Sequence, residues 1–256
     1  MAAALVLALS CNKTVIDENV QDGTLSIKIG NIDQEIVETR TGEYADTYAN
    51  YNVILSNSAE GKTTWSKKYS EIKNNPQIVA VGEGYSVKVE NMTTTEANQY
   101  IPQGESLKYG CKHICGTTGN INVTANVNTN VQVACAVDNC QVAVAYSEAF
   151  NTAFTNANTL LSDDTKSGLD GDDTTKACFF QAGNTVRCSL TATNSKGEEK
   201  NYTKDLDLTG KGGKKITLTF NVTGAEGTIT VYVTVSENLV DEAANESVNP
   251  YESPAA

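Results

Sequence analysis

Apolar and polar residues alternate along this chain in short runs that end at glycine or asparagine. In GTITVYVTVSE, every second residue from Ile229 to Val235 is apolar, and threonine or tyrosine lies between them. GTLSIKIGN (23–31) and GNINVTANVNTNVQVACAV (119–137) show the same period. A period of two is typical of a β-strand with one buried face. The chain is therefore predicted to be all-β.

Predicted strands recur every 8–15 residues between Gly- and Asn-rich turns, and only SEAFNTAFTNA (147–157) has a helical pattern. This rhythm favours antiparallel sandwiches, and a chain of 256 residues accommodates two of about a hundred residues each. We predict two tandem antiparallel β-sandwich domains at 23–135 and 136–247. A signal and tether (1–22) would precede them, and a tail (248–256) would follow.

The formal net charge of −12 comes from 31 acidic and 19 basic residues. A surface of this charge repels the phosphates of nucleic acids. Nucleic acid is therefore excluded as a predicted partner.

The N-terminus carries an apolar run from Ala2 to Leu9, then Ser10 and Cys11. A short apolar segment that ends in a small residue is typical of an export signal. The pattern resembles a bacterial lipoprotein signal, in which the cysteine becomes the lipidated N-terminus, although no Lys or Arg precedes the apolar run. Lipidation of Cys11 is the prediction, and an ordinary cleaved signal or a frayed N-terminus is the alternative.

The remaining cysteines are even in number, which in an exported chain predicts disulfides. In CFFQAGNTVRC, the central Ala-Gly-Asn would let Cys178 and Cys188 face each other across a hairpin. CKHIC (111–115) and CAVDNC (135–140) could each close a tight loop or cross-link to one another, and the pattern does not choose between these options. The six candidates are Cys111, Cys115, Cys135, Cys140, Cys178 and Cys188.

His113 is the chain's one histidine, and no serine stands in a nucleophile elbow that could use it. On a strand, Cys111, His113 and Cys115 would share one face and could ligate zinc. Exported cysteines usually oxidise, however, and a lone histidine is more often a surface residue. We therefore predict no enzyme activity, no cofactor and no metal.

Acidic residues crowd SDDTKSGLDGDD (162–173) and could supply oxygen ligands to calcium. The segment lacks the D-x-D-x-D-G spacing and the closing glutamate of a calcium loop. A solvated loop is the favoured interpretation. Its acids are Asp163, Asp164, Asp170, Asp172 and Asp173.

Arg40 lies in the polar segment VETRTG after the first predicted strand, where a protease could reach it. The chain's other arginine is Arg187, so Arg40 is the evident site for an arginine-specific cut. The alternative is a surface arginine without a role.

An ordered series of patterns resembles a Bacteroidetes family of fimbrillin-like and cell-adhesion lipoproteins. In the N-terminal part these are GTLSIKIGN, ETRTG, YNVILSNSAEGKTTWSKKYSEI and VAVGEGYSVKVEN. In the C-terminal part they are CAVDNCQVAVAYSEAF, ACFFQAG, VRCSLTATNSKGEEK, KKITLTFNV and GTITVYVTVSENLVDEAANESVNPYE. The likeness spans about residues 22–250 and leaves out the six internal cysteines and the acidic segment.

The resemblance implies two transthyretin-like sandwiches, anchored by lipid at the outer membrane and displayed on the cell surface. In fimbrillins, a cut after an arginine matching Arg40 would release the first strand, here 23–30. A strand from another subunit would fill the groove, and the extended tail 245–256 could be that donor. Whether this member is cut or serves as a lipid-bearing anchor or accessory subunit stays open.

The predicted function is therefore a non-enzymatic surface lipoprotein for cell adhesion or pilus assembly, with other fimbrial or surface subunits as partners. The alternative is a module that binds carbohydrate or a host ligand, with Trp65 or exposed tyrosines as stacking faces. The ordinary interpretation of Trp65 is a half-buried strand residue.

Overall fold

The structure is a computed structural model that describes residues 21–33, 48–173, 176–223, 228–236 and 246–248. Strands make up most of this part of the chain, so the predicted all-β class is confirmed. They are β1 (Asp22–Asp33), β2 (Asn52–Ser56), β3 (Trp65–Lys68), β4 (Gln77–Ala80), β5 (Gly82–Glu90), β6 (Ile114–Val123), β7 (Asn128–Val137), β8 (Asn139–Tyr146), β9 (Phe154–Ser162), β10 (Leu169–Asp170), β11 (Cys178–Gln181), β12 (Thr185–Asn194), β13 (Glu199–Asp207), β14 (Lys215–Thr223), β15 (Thr228–Ser236) and β16 (Glu246–Val248).

Helices in the described residues are short. They are α1 (Tyr69–Ile72), α2 (Thr94–Gln99), α3 (Glu148–Ala153) and a 3-10 turn at Tyr48–Asn50. The predicted helical stretch 147–157 shrinks to α3 because β9 begins at Phe154. The prediction missed α2, which begins with a capping box in which Thr93 and Glu96 satisfy each other's backbone N–H. None of the helices in the described ranges has the length and apolar character needed to cross a bilayer.

The strands form three sheets. One has seven strands in the order β3-β2-β5-β6-β7-β1-β4. The second has four, β10-β9-β12-β13, and the third has five, β11-β8-β14-β15-β16. Within the first sheet, β6 pairs with β7 at Ile114↔Val137 and Cys115↔Ala136.

The strand order of residues 21–137, here called the first half, recurs in residues 139–248, the second half. In the first half, β1 lies between antiparallel β4 and parallel β7. In the second half, β8 lies between antiparallel β11 and parallel β14. The series β3-β2-β5-β6 corresponds in chain order to β10-β9-β12-β13. The seven-stranded and five-stranded sheets are therefore mixed, and the prediction of purely antiparallel sheets is wrong. A parallel pair needs a long crossover, and in each half the intervening strands form it.

Two apolar clusters fill the interior, and alternate residues of the strands supply them. Along β7, Val131, Val133, Cys135 and Val137 are buried while the residues between them are exposed, which confirms the predicted alternation. The first-half cluster takes its largest buried side chains from Leu25, Leu55, Tyr85 and Ile114. The second-half cluster takes them from Tyr109, Phe150, Leu161, Leu169, Phe180, Leu190, Leu208 and Phe220.

Candidate functional site

The strand β1 lies between β4 and β7, which are distant from each other in sequence. Its residues Thr24–Ile29 run parallel to Asn128–Val133 of β7, and its first residues pair with β4. Leu25 and Ile27 are buried in the first-half cluster. The predicted first strand is confirmed, and it fills a groove that would otherwise leave two sheet edges unpaired.

Close packing fixes the start of β1. A Cβ atom built on Gly23 would lie 2.4 Å from the carbonyl oxygen of Thr124, which is closer than any side chain tolerates. The glycine therefore lets the backbone of β1 approach the turn before β7. Thr24 N–H donates to the carbonyl of Val127 at 3.0 Å and begins the pairing.

The second feature is the junction of the two halves, where Asp138 alone separates β7 from β8. Asp138 N–H donates to the carbonyl of His113 at 3.1 Å, and His113 N–H donates to Asn139 Oδ1 at 3.1 Å. Asn139 Nδ2 donates to the carbonyl of Cys111 at 2.7 Å. These bonds pin the segment that leads into β6 against the crossover between the halves.

The ring of His113 lies inside this junction and is 1% exposed, so the prediction of a surface histidine is wrong. Its Nδ1 is 2.6 Å from Asp138 Oδ1, and its Nε2 is 2.9 Å from the carbonyl oxygen of Met92. Since a carbonyl only accepts, Nε2 carries a hydrogen. The CKHIC motif alone does not indicate that His113 is buried, because its partner Asp138 lies 25 residues away in sequence.

Charge at the junction favours an ionised pair. Burial opposes the charged ring of His113, but the hydrogen bond and negative charge of Asp138 outweigh it and raise the pKa of His113. Burial opposes the charged form of Asp138 too, and the same pairing outweighs it and lowers the pKa of that carboxyl.

Cys115 and Glu90 complete what we call the junction cluster: Glu90, His113, Cys115 and Asp138. Cys115 Sγ lies 3.3 Å from Asp138 Oδ2, and Glu90 stands directly opposite Cys115 in the β5–β6 register. Glu90 Oε2 is 3.8 Å from His113 Nε2. Lys88 Nζ is 2.5 Å from Glu90 Oε2, an ion-pair distance, but no donor is aligned to give this buried oxygen a hydrogen bond.

The ligand-type atoms of His113, Cys115 and Asp138 all lie within 4.8 Å of one another. This grouping differs from the sequence alternative of Cys111, His113 and Cys115. Cys111 lies instead in a small separate cluster, with its Sγ 3.3 Å from Met92 Sδ.

The six internal cysteines are free thiols in the structure. Cys178 lies opposite Val142 on β8, while Cys188 lies between β9 and β13, so the predicted hairpin is wrong. Pairing among the six stays a prediction. Burial raises the pKa of Cys135 to about 11 and of the other five to about 12, so the thiols are protonated and poorly nucleophilic.

The acids of 162–173 have separate local partners. Asp163 accepts from the backbone of Thr165 and Lys166 and from Asn184. Asp172 accepts from Tyr146 Oη at 2.6 Å and from Thr159 N–H at 2.7 Å. The segment thus organises its own turns and the sheet edge beside it.

Trp65 is half-buried against the first-half cluster, as its ordinary interpretation predicts. Lys67 Nζ lies 5.3 Å from the centre of its ring. The ring contacts both the core and the Lys67 ammonium. It is therefore not free to serve as the stacking face that a sugar would need. Cys11 and Arg40 lie outside the described residues, as does the tail apart from β16.

Comparison with known proteins gives one family and a set of distant structures. A family model described as a domain of unknown function (DUF4493) matches residues 21–250. No curated protein matches the chain.

Three solved structures illustrate the structural matches. A "putative cell adhesion protein" from Bacteroides uniformis ATCC 8492 is 10% identical, with 84% of this chain and 97% of that chain covered and a TM-score of 0.39. A fimbrial assembly protein from Parabacteroides distasonis ATCC 8503 is 14% identical, with coverage of 84% and 98% and a TM-score of 0.38. "Putative polysaccharide binding proteins (DUF1812)" from Bacteroides thetaiotaomicron VPI-5482 give 13% identity, coverage of 84% and 99%, and a TM-score of 0.38.

Proposed function

The chain belongs to the DUF4493 domain family, and from that premise we propose that it is a non-enzymatic, fimbrillin-like surface lipoprotein for cell adhesion or pilus assembly that associates by β-strand addition. The position of β1 between β4 and β7 supports this proposal. A strand that pairs only with β4 and β7 can leave as a unit after a cut at Arg40, because Arg40 lies between β1 and β2 in sequence. Its departure would leave two rows of backbone N–H and C=O groups ready for another strand.

Buried side chains of β1 would supply the specificity of that exchange. Leu25 and Ile27 enter the first-half cluster, while Lys28 points to solvent. A replacement strand must therefore offer apolar residues two positions apart, and the backbone bonds then add affinity regardless of sequence. The proposed donor is the tail 245–256 of another copy, in which Val248 and Pro250 have this spacing, or a strand of a different surface subunit. In the tail, residues Glu246–Val248 pair with β15 of their own chain and would have to leave that strand first.

The fold is proposed to consist of two tandem sandwiches, 23–135 and 136–247. The repeated strand order and the two separate apolar clusters support this division. Cys11 is proposed to carry the acyl chains that hold the uncut protein at the outer membrane, since stable attachment needs more than one chain. A cut after Arg40 would release this anchor together with β1.

A scaffold without catalysis agrees with the chemistry of the described residues. Both ring nitrogens of His113 are engaged, and the six thiols, of which five are buried, are protonated at neutral pH. These groups are therefore poor candidates for a general base or a nucleophile.

The test is limited digestion of the full chain with an arginine-specific protease. Arg40→Gln removes the proposed site, and Arg187→Gln is the matched control because Arg187 lies in β12 and forms a bidentate pair with Asp205. We expect the wild type and Arg187→Gln to be cut once and to form higher-mass assemblies by native mass spectrometry. Arg40→Gln should stay intact and monomeric. A wild-type chain that is cut after Arg40 and remains monomeric would contradict the proposal.

A further inference from the structure

We propose that His113, Cys115 and Asp138 form a binding site for a divalent metal ion of the zinc class at the junction of the two halves. The site is separate from the proposed strand exchange at β1 and does not depend on it. It requires a reduced Cys115, so it excludes Cys115 from the predicted disulfides. Its ligands come from the segment before β6, from β6 itself and from the single residue between β7 and β8.

Two of the separations between ligand groups are close to those that a zinc ion requires. Zinc bonds of about 2.0–2.1 Å to nitrogen or oxygen and about 2.3 Å to sulfur require ligand separations of about 3.3 Å for N–O and about 3.5 Å for S–O. The separations are 2.6 Å for His113 Nδ1 to Asp138 Oδ1 and 3.3 Å for Cys115 Sγ to Asp138 Oδ2. Each of these two separations would need to widen by less than about 1 Å to admit the ion, and the third pair, His113 with Cys115, lies within 4.8 Å.

The histidine is already oriented as a ligand. Its Nε2–H donates to the carbonyl of Met92, so the nitrogen that can bind a metal, once it loses its proton, is Nδ1, which faces Asp138. A backbone carbonyl on the far nitrogen is the usual support for a metal-bound imidazole. Binding would displace the protons of Nδ1 and of the Cys115 thiol into solvent.

Glu90 adds a second buried acid beside the site. Its side chain is 3% exposed, its Oε2 accepts no aligned hydrogen bond, and Lys88 Nζ at 2.5 Å offsets its charge. Lys88 offsets only one charge, so a Cys115 thiolate and the Asp138 carboxylate would need a further cation once His113 is neutral. Glu90 stands opposite Cys115, so it can serve as a nearby countercharge. A divalent ion together with Lys88 would balance the thiolate and the two carboxylates.

The cavity beside the site and the types of ligand atom both fit an ion of the zinc class. A cavity of about 120 Å³ reaches His113 and Asp138 between α2 and the end of β11, and the Asp138 side chain is 44% exposed. Calcium and magnesium prefer oxygen ligands, whereas a nitrogen, a thiolate and a carboxylate together favour zinc or its neighbours.

The test uses the full chain, reduced and stripped of metal with a chelator, titrated with Zn²⁺ against a chromophoric chelator and with Co²⁺ by absorbance. We expect one ion per chain and a thiolate-to-cobalt charge-transfer band. Cys115→Ser and Asp138→Asn should each weaken Zn²⁺ binding by on the order of 100-fold, and Glu90→Gln by about tenfold. Circular dichroism verifies that each variant is folded.

Cys111→Ser is the matched control, since Cys111 belongs to the same CKHIC motif but lies in the Met92 cluster. It should bind Zn²⁺ like the wild type and keep the cobalt band. Equal loss in Cys111→Ser and Cys115→Ser, a missing charge-transfer band, or binding only at millimolar Zn²⁺ would overturn the site. The protease experiment on Arg40 does not involve these residues, so either proposal can fail without the other.

Discussion

The carboxylate of Asp163 organises the turn between β9 and β10. Its Oδ1 accepts from Thr165 N–H at 2.8 Å, Thr165 Oγ1 at 2.8 Å and Lys166 N–H at 2.7 Å, and its Oδ2 accepts from Asn184 Nδ2 at 3.0 Å. Burial opposes the charge, but these donors outweigh it and lower the pKa of Asp163. The ionised form is therefore favoured more strongly in the folded chain than in the unfolded one.

We expect Asp163→Asn to reduce the free energy of unfolding by about 1.5 kcal/mol at pH 7, because several of its bonds lose their charged acceptor. A lowered folded pKa means that this contribution is complete above the unfolded pKa of about 3.9 and disappears as the pH falls through the folded value. Urea unfolding of both proteins between pH 7 and pH 3 measures the difference. It should be constant down to about pH 5 and shrink below that.

Asp164→Asn is the control for Asp163, because Asp164 is exposed and accepts only a 3.3 Å bond from Asn184. Its effect should stay below about 0.5 kcal/mol at every pH. A difference for Asp163→Asn that grows as the pH falls would contradict the assigned pKa direction.

At the scale of elements, the link between β6 and β7 depends on one residue without a side chain. A Cβ atom on Gly116 would lie 2.0 Å from the carbonyl oxygen of Ala134, so the two strands can approach only at a glycine. We expect Gly116→Ala to reduce the free energy of unfolding by about 2–4 kcal/mol, because the backbone of β7 must shift. Gly119 lies on the same strand with open space around its Cβ position, so Gly119→Ala should change stability by less than about 0.5 kcal/mol in the same urea titration.

The strand β1 is predicted to stabilise the first half through its buried face alone. Ile27→Ala should reduce the free energy of unfolding by about 3 kcal/mol, because Ile27 is 3% exposed and its loss leaves a cavity. Lys28→Ala, one residue along and exposed, should change it by less than about 0.5 kcal/mol. A loss for Ile27→Ala as small as that for Lys28→Ala in urea unfolding would show that backbone pairing, and not the apolar face, holds the strand.

The sequence predicted strands well where alternation was long, as in β7 and β14, because a half-buried face leaves a local signature. It failed where partners are distant. The pairing of β11 with β8 and not with β12 depends on contacts across the fold, so CFFQAGNTVRC resembled a hairpin that does not form. The capping box of α2 was readable in TTTE (93–96), whereas the burial of His113 required Asp138, which no local pattern identifies.

At the scale of the molecule, two aromatic residues cross between the halves. Tyr109 comes from the first half and packs in the second-half cluster, while Phe179 comes from β11 of the second half and packs in the first-half cluster. Phe179 N–H donates to the carbonyl of Tyr109 at 2.8 Å. Together with the junction around Asp138, this exchange couples the folding of the two clusters.

Phe179→Ala should therefore weaken the coupling of the halves as well as the first-half cluster. We expect a loss of about 3–4 kcal/mol and a change from one calorimetric transition to two, because the halves then unfold separately. Phe180→Ala is the matched neighbour, since Phe180 is fully buried in the second-half cluster and does not cross. It should lower stability by a similar amount and keep a single transition, because the crossing contacts persist and the two clusters still unfold together. Two transitions in the wild type, or one in Phe179→Ala, would show that the crossed aromatics do not make the halves cooperative.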